Sequence, residues 1–399
     1  MQPAVPGWAA KRTQRMAHRS PSIEKRDVQE VLSRYGAPVT SLAAIRGYLL
    51  EEALAWLVRT SGYRLLVNVQ DDPDGALTSA GNGLLVKGRG ANHQADTLGE
   101  FAFVPPFSLP IRLFVEAKFR NETTGIYDVR NAFGVISDVN ENYVQLDPGR
   151  RPRRRYRYVY TLFSTSGFST PAQEYAIAHQ ISLVDLSGDT FAWLRRTVAI
   201  AADRVYSLEQ SLKSRSAKAS IPRAKLREIV RRQLETTDST QVGISTPSWW
   251  SEDIDDALAQ VASDLGYGLR TAEGRELLLG FPPAPFVLTL TAQSPYTMEH
   301  FLAFTQHRPR HAIGLRRRRA DSHVTQWELF PRESPDAYRL SFTLPDRVEE
   351  WIDDSERYRM RARIVEESLL STIVLYRLDQ GAVTVYQLDY EPAELRPMD

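Results

Sequence analysis

The chain has 399 residues, of which 42% are hydrophobic and 25% charged, with a net charge of +1 and no cysteine. That length suits two to three domains with sizeable cores, and the lack of cysteine excludes disulfides, thiolate metal sites and cysteine nucleophiles. A near-neutral chain is no polycation, so any nucleic-acid contact has to come from local clusters.

No apolar run reaches transmembrane length and the N-terminus has no signal-peptide core, so a cytoplasmic protein is expected. Residues 1–38 carry seven Lys/Arg against three acids and four prolines. They read as a flexible basic arm with a short helix near Ile23 to Tyr35. Ser41 to Thr60 reads as a helix: Ser41 suits the N-cap, and Ile45, Leu49, Leu50, Leu54, Leu57 and Val58 form an apolar stripe. Glu51 and Glu52 interrupt that helix beside its apolar face, and Gly62 marks its end. Tyr63 to Val69 reads as a strand, followed by a polar turn from Asp71 to Asp74.

Leu84 to Phe103 reads as a hairpin or a bent strand, with Gly88 and Gly90 allowing the bend. Gln94 and Asp96 would share a face of it. Beyond Pro105, Pro106 and Pro110, the segment Ile111 to Phe119 has the short, apolar, β-branched and aromatic character of a buried strand. A helix is expected over Asp128 to Val139 and a strand over Tyr158 to Thr165. A further helix spans Ala172 to His179, with Pro171 suited to its first turn. Ile181 to Asp185 then reads as a strand and Thr190 to about Leu212 as a long helix. Strands alternating with helices predict an α/β core.

Lys213 to Arg232 holds eight basic residues and one acid, reading as a linker with a basic helix. From 241 the character changes to a helix over Asp253 to Leu265. Strands are expected over Phe286 to Ala292, His311 to Arg317, Tyr338 to Leu344, Ile373 to Leu378 and Ala382 to Tyr390. The expected organisation is therefore a basic arm (1–38), an α/β domain (39–212), a basic linker helix (213–240) and a separate α+β domain (241–399).

The chemistry concentrates on the strand from Ile111. Glu116 and Lys118 lie two apart and so project from one face, and a buried acid beside an amine is costly unless paired or bound to something. Lysine is scarce, seven against 43 arginines, and Glu116-Ala117-Lys118 is the single acid-x-Lys spacing in the chain. An ordinary salt-bridged strand end is the simpler alternative. Phosphodiester hydrolysis needs a divalent metal on a few oxygens and a cation to orient water and stabilise developing charge. Asp96 and Glu116 could supply carboxylates and the Ala117 carbonyl a third oxygen, with Lys118 beside the attacking water. Gln94 could touch metal-bound water or phosphate, or be a surface glutamine. His93 reads as a polar strand-edge residue. The run Arg150, Arg151, Arg153, Arg154, Arg155 and Arg157 could track a phosphate backbone or form a solvated loop.

Asp96 followed by Glu116-x-Lys118 on a hydrophobic strand resembles the PD-(D/E)xK nuclease superfamily, although Ala95 stands where its motif has proline. Leu50-Glu51-Glu52 with Gly62-Tyr63 is similar to the first helix of that fold, where an acid reaches the metal site. Spacing to the glycine favours Glu51. Val129 to Val135, and Ser164 to Ala176 followed by Ile181 to Asp185, are similar to segments of Mrr-like restriction endonucleases in the same order. The resemblance covers residues 41 to 212. It implies a restriction-endonuclease-like core, a mixed central sheet flanked by helices. It also implies a Mg²⁺-dependent DNA endonuclease, with Mn²⁺ as a substitute, acting in restriction or anti-phage defence as a homodimer or in a larger defence complex. A structure-selective repair nuclease, or a catalytically silent DNA-binding or assembly module, are the alternatives.

Overall fold

The computed structural model describes residues 41–80, 83–102, 104, 108–142, 154–188, 191–216, 219–237, 246–247, 249–271, 277–284, 286–292, 295–319, 325–356, 369–379 and 382–390. The basic arm expected over 1–38 lies outside them. Among the described residues no helix is long and apolar enough to cross a membrane. The fold is a mixed α/β assembly built on a five-stranded sheet and a seven-stranded barrel.

Helix α1 (Leu42–Thr60) starts as the sequence predicts, with the Ser41 hydroxyl accepting from the Ala44 amide at 3.2 Å. Its stripe from Ile45 to Val58 is buried, and it stops at Gly62, whose φ of +88° suits glycine. Strand β1 (Tyr63–Leu65) follows. A hairpin of β2 (Leu77–Ala80) and β3 (Gly83–Lys87) is extended by β4 (Asn92–Gln94) into a small three-stranded sheet. The chain then changes sheet. Strand β5 (Thr97–Phe101) pairs with β1 and with β6 (Ile111–Lys118), both antiparallel. The stretch expected as one bent strand is thus divided between two sheets, and the crossing from β4 to β5 is made by Ala95 and Asp96 alone.

Helix α2 (Ile126–Asn140) leads to β7 (Arg157–Ser164), parallel to β6. Helix α3 (Thr170–His179) leads to β8 (Ser182–Asp185), parallel to β7. The sheet order is β1-β5-β6-β7-β8. Alternation along β6 divides the core. Leu113 and Val115 pack toward α1, whereas Phe114 packs toward α2 and α3 and stacks on Tyr160 at 4.9 Å.

Helices α4 (Ala192–Arg215), α5 (Arg223–Gln233) and α6 (Glu252–Thr271) pack on the α1 side. The sequence reading set α5 in a linker and α6 at the start of the second domain. Leu226, Ile229 and Val230 of α5, and Leu258, Val261 and Leu265 of α6, are buried in the same cluster as α1 and α4. An amphipathic basic helix reads alike whether its apolar face meets a domain or a partner.

The C-terminal strands are β9 (Leu277–Phe281), β10 (Leu288–Ala292), β11 (Arg310–Arg319), β12 (Thr325–Pro331), β13 (Leu340–Phe342), β14 (Thr372–Asp379) and β15 (Ala382–Tyr390), with helices α7 (Pro295–His307) and α8 (Asp346–Glu356) between them. They close a barrel in the order β10-β13-β12-β11-β15-β14-β9 around a core that includes Leu290, Ile313, Leu329, Phe342 and Leu375. Five of these strands match the sequence reading; β9, β12 and the closure were not anticipated. The barrel touches the first unit through Tyr376 on Phe101, with centroids at 4.6 Å, and through the Arg347 amide donating to Gln173 Oε1 at 3.0 Å.

Candidate functional site

The antiparallel pairing of β5 with β6 sets Thr97 opposite Val115, and Asp96, in the turn just before β5, is bonded to the residues on either side of Glu116. Glu116 and Lys118, two apart at the C-terminal end of β6, emerge from one side of the sheet, and both charges act on the Asp96 carboxylate. Asp96 is fixed by its own backbone and side chain. Its amide donates to the Val115 carbonyl at 3.1 Å, and its Oδ2 accepts from the Ala117 amide at 2.8 Å. The Lys118 ammonium pairs with Glu116 Oε1, and the Tyr160 hydroxyl of β7 donates to Glu116 Oε2. Lys118 also lies 3.9 Å from Asp128 Oδ1, and Arg120 grips Asp128 through two bonds of 2.9 and 3.1 Å. Asp96, Glu116 and Lys118 are half-buried.

Burial raises the Asp96 pKa. The Glu116 charge adds to the rise, while the Ala117 amide, Lys118 and Arg223 oppose it. Burial of the Tyr160 hydroxyl, and the Glu116 carboxylate beside it, hold that phenol protonated.

Glu51 is positioned from the other layer. The Thr97 hydroxyl donates to the Glu51 carbonyl at 3.2 Å, tying α1 to the start of β5. Burial and the Asp96 charge push the Glu51 pKa up to about 7, against Arg227 and Arg223. The Glu51 carboxylate is held by Arg223 at 3.0 Å and Arg227 at 2.8 Å; Glu52 is held by Arg227 and Arg231, each at 2.8 Å. Among the described residues no three His, Asp or Glu side chains gather closely enough to hold a metal ion. In this arrangement the Glu51 carboxylate is taken by Arg223 and Arg227.

Gln94 is exposed at the end of β4 and lines, with Asp96, an open cleft of about 680 Å³. The cleft runs between β1, the three-stranded sheet and α5, with Arg227, Arg231, Asn68 and Thr78 on its walls. His93 is bound to Asp138 at 2.7 Å and supports the turn that carries Gln94, since Asp138 also accepts from the Gly90 and Ala91 amides.

The arginine run is described only from Arg154. Arg150, Arg151 and Arg153 lie outside the described residues; Arg154, Arg155 and Arg157 are exposed. Arg157 pairs with Ile111, seven residues before Lys118 on β6. At ~3.3 Å per residue that is about 23 Å from the acid–lysine end. The parallel pairing of β6 with β7 thus sets Arg157 at the opposite end of β6 from Lys118.

Sequence reasoning missed Tyr160, Asp128 and the α5 arginines. Tyr160 carries no signal in a strand of tyrosines, and Asp128 reads as an ordinary first-turn acid. The arginines could have been found: residues 223, 227 and 231 repeat every four positions on one helix face, and two adjacent acids on an apolar helix demand buried cations.

No family model and no curated protein matches the chain. A crystal structure of a protein of unknown function, AF1548, aligns over 55% of this chain and 98% of its own, at 15% identity and a TM-score of 0.28. The MspJI restriction endonuclease in complex with a 27-mer oligonucleotide aligns over 54% of this chain and 40% of its own, at 18% identity and a TM-score of 0.23. These are weak likenesses, one of them to a nuclease, and they do not decide the fold.

Proposed function

We propose that this chain is a metal-dependent DNA endonuclease with a restriction-endonuclease-like core. The observation that carries the reading is the meeting of Asp96, in the turn into β5, with Glu116 and Lys118 at the end of β6. Mg²⁺ is usually bound through one or two carboxylates plus substrate oxygens, so a pair of acids is a sufficient donor set. The pair here fits a cation: Asp96 is pushed toward neutrality by burial and by Glu116, and a divalent ion relieves both. Asp96 and Glu116 would hold Mg²⁺, or Mn²⁺ in its place, with the Ala117 carbonyl as a third oxygen. The bound ion supplies a polarised phosphate and a more acidic water. Lys118, on the same face, positions the attacking water and balances the charge that develops on the phosphorane oxygens. Tyr160 and Ala117 hold the two carboxylates in place, and Gln94 faces the cleft along which a strand approaches. The setting proposed is restriction or anti-phage defence, in the cytoplasm, as a homodimer or within a larger complex.

One observation favours a second reading. Glu116 is satisfied by Lys118 and Tyr160, and Glu51 by arginines, as in a catalytically silent nuclease fold kept for DNA binding or assembly. Incubating plasmid with the protein and Mg²⁺ or Mn²⁺, beside a Lys118→Ala control, separates the two. Nicking abolished by the substitution supports the nuclease; DNA retained without cutting by either protein supports the silent module. Branched and methylated substrates in the same assay separate repair from restriction.

A further inference from the structure

Helix α5 presents Arg223, Arg227 and Arg231 to α1 at four-residue spacing. Arg227 bridges both acids, with Nε on Glu52 and Nη2 on Glu51, each at 2.8 Å. Arg231 Nε takes the second Glu52 oxygen at 2.8 Å. Arg223 reaches the same Glu51 oxygen, Oε2, at 3.0 Å, its guanidinium stacked 3.6 Å from the centre of the Tyr48 ring. Glu51 and Glu52 are 8% and 2% exposed, so neither has water enough to remain ionised without these partners.

The network is more than a strut between helices, because its two ends differ. Among the described residues Glu52 pairs with Arg227 and Arg231 of α5. Glu51 faces α5 and also the Asp96 carboxylate, and Arg223 and Arg227 act on the Asp96 charge as well. Geometry agrees: the Thr97 hydroxyl, next to Asp96, donates to the Glu51 carbonyl at 3.2 Å, Arg223 and Arg227 hold the Glu51 carboxylate, and Arg227 lines one cleft with Asp96. Arg227 and Arg231 also line the cleft onto which Asp96 opens, so the contact borders the route of entry.

We propose that Arg223 and Arg227 are a built-in counter-cation for Glu51, and that a divalent ion entering beside Asp96 competes with α5 for that carboxylate. This rests on the nuclease reading of Asp96 and Glu116. Ion binding and α5 docking at Glu51 are then negatively coupled, and the coupling is reciprocal. A purely structural network behaves in the opposite way: losing an arginine would loosen α1 and leave ion affinity unchanged or poorer.

The test is Mn²⁺ titration of the full chain, followed by the electron paramagnetic resonance of free Mn²⁺, with a thermal melt of each variant. Arg227→Gln and Arg223→Gln are expected to bind Mn²⁺ about five- to tenfold more tightly than wild type, the lower part of the usual coupling range. Adding Glu51→Gln to Arg227→Gln removes the gain. Equal or weaker binding by both arginine variants overturns the proposal, as does a gain that survives Glu51→Gln. If Arg227→Gln fails to fold, Arg223→Gln decides alone. Asp96→Asn separates the two levels. Binding unaffected by Asp96→Asn refutes the nuclease site, whereas Asp96-dependent binding that ignores both arginines refutes only the competition.

Discussion

Arg112→Met tests how the site-bearing strand is held. Arg112 lies on β6, on the same face as Glu116 and Lys118, and its side chain is fully buried. It donates to Asp72 at 2.7 Å, to Glu100 at 3.0 Å and to the Tyr158 hydroxyl at 3.1 Å, with the Tyr156 ring centred 3.4 Å away. Methionine keeps the length and loses every donor. Asp72, also fully buried, would keep only the Leu77 amide at 2.9 Å. Breaking one partner out of a buried ion pair costs about 3–5 kcal/mol; the lost stacking, worth roughly 2 kcal/mol when desolvated, overlaps with this and is not added. Against a typical stability of roughly 5–15 kcal/mol, the variant loses about a fifth or more. Urea unfolding followed by tryptophan fluorescence reads the change. Asp72→Asn added to Arg112→Met should return part of the loss, because the stranded charge is then gone. A loss below about 1 kcal/mol, or no coupling between the two substitutions, would show that the network is not what anchors β6.

Glu51 sets a pH dependence. Its folded pKa of about 7 lies above the ordinary 4.5, so the folded state binds the extra proton. Its contribution is complete below pH 4.5 and is lost as pH rises through 7, about 3 kcal/mol in all. Glu51→Gln should therefore gain on wild type between pH 5 and pH 8 in urea unfolding, and a constant difference would refute the shift. Tyr160→Phe removes one bond to Glu116 and should lower Mn²⁺ affinity or cleavage by roughly 10–100-fold. Its stability should fall by no more than about 1.5 kcal/mol; unchanged affinity and cleavage would mean that Tyr160 does not position Glu116.

Much of the first unit was legible because its elements are local. The α1 stripe, the apolar β6 and the Pro-led α3 each follow from spacing of a few residues, and period two put Glu116 and Lys118 on one face. The pairing of Asp96 with Glu116 could be read from the sequence as candidate carboxylates on neighbouring strands, but their approach depends on how the chain enters β5 across a proline-rich loop, which local spacing does not fix. What stayed hidden is long-range. Glu51 meets Arg223 across 172 residues, and nothing local to either tells which cation meets which acid. The position of Arg157 was hidden for a related reason: parallel pairing, not composition, decides which end of a sheet a segment reaches. In the barrel, Trp327, Glu328 and Leu329 of β12 are all buried, so the alternation in its sequence does not mark a solvated face as it would in a half-buried strand.

The central claim is that Asp96, Glu116 and Lys118 act together on a phosphodiester bond. Single-turnover cleavage of plasmid in Mg²⁺, by wild type and Lys118→Ala matched for folding by melting curve, tests it most directly. The account predicts metal-dependent nicking by wild type, abolished by chelation and lowered at least about 100-fold in the variant. Equal cleavage by the two proteins, or none by wild type with either Mg²⁺ or Mn²⁺, would contradict it.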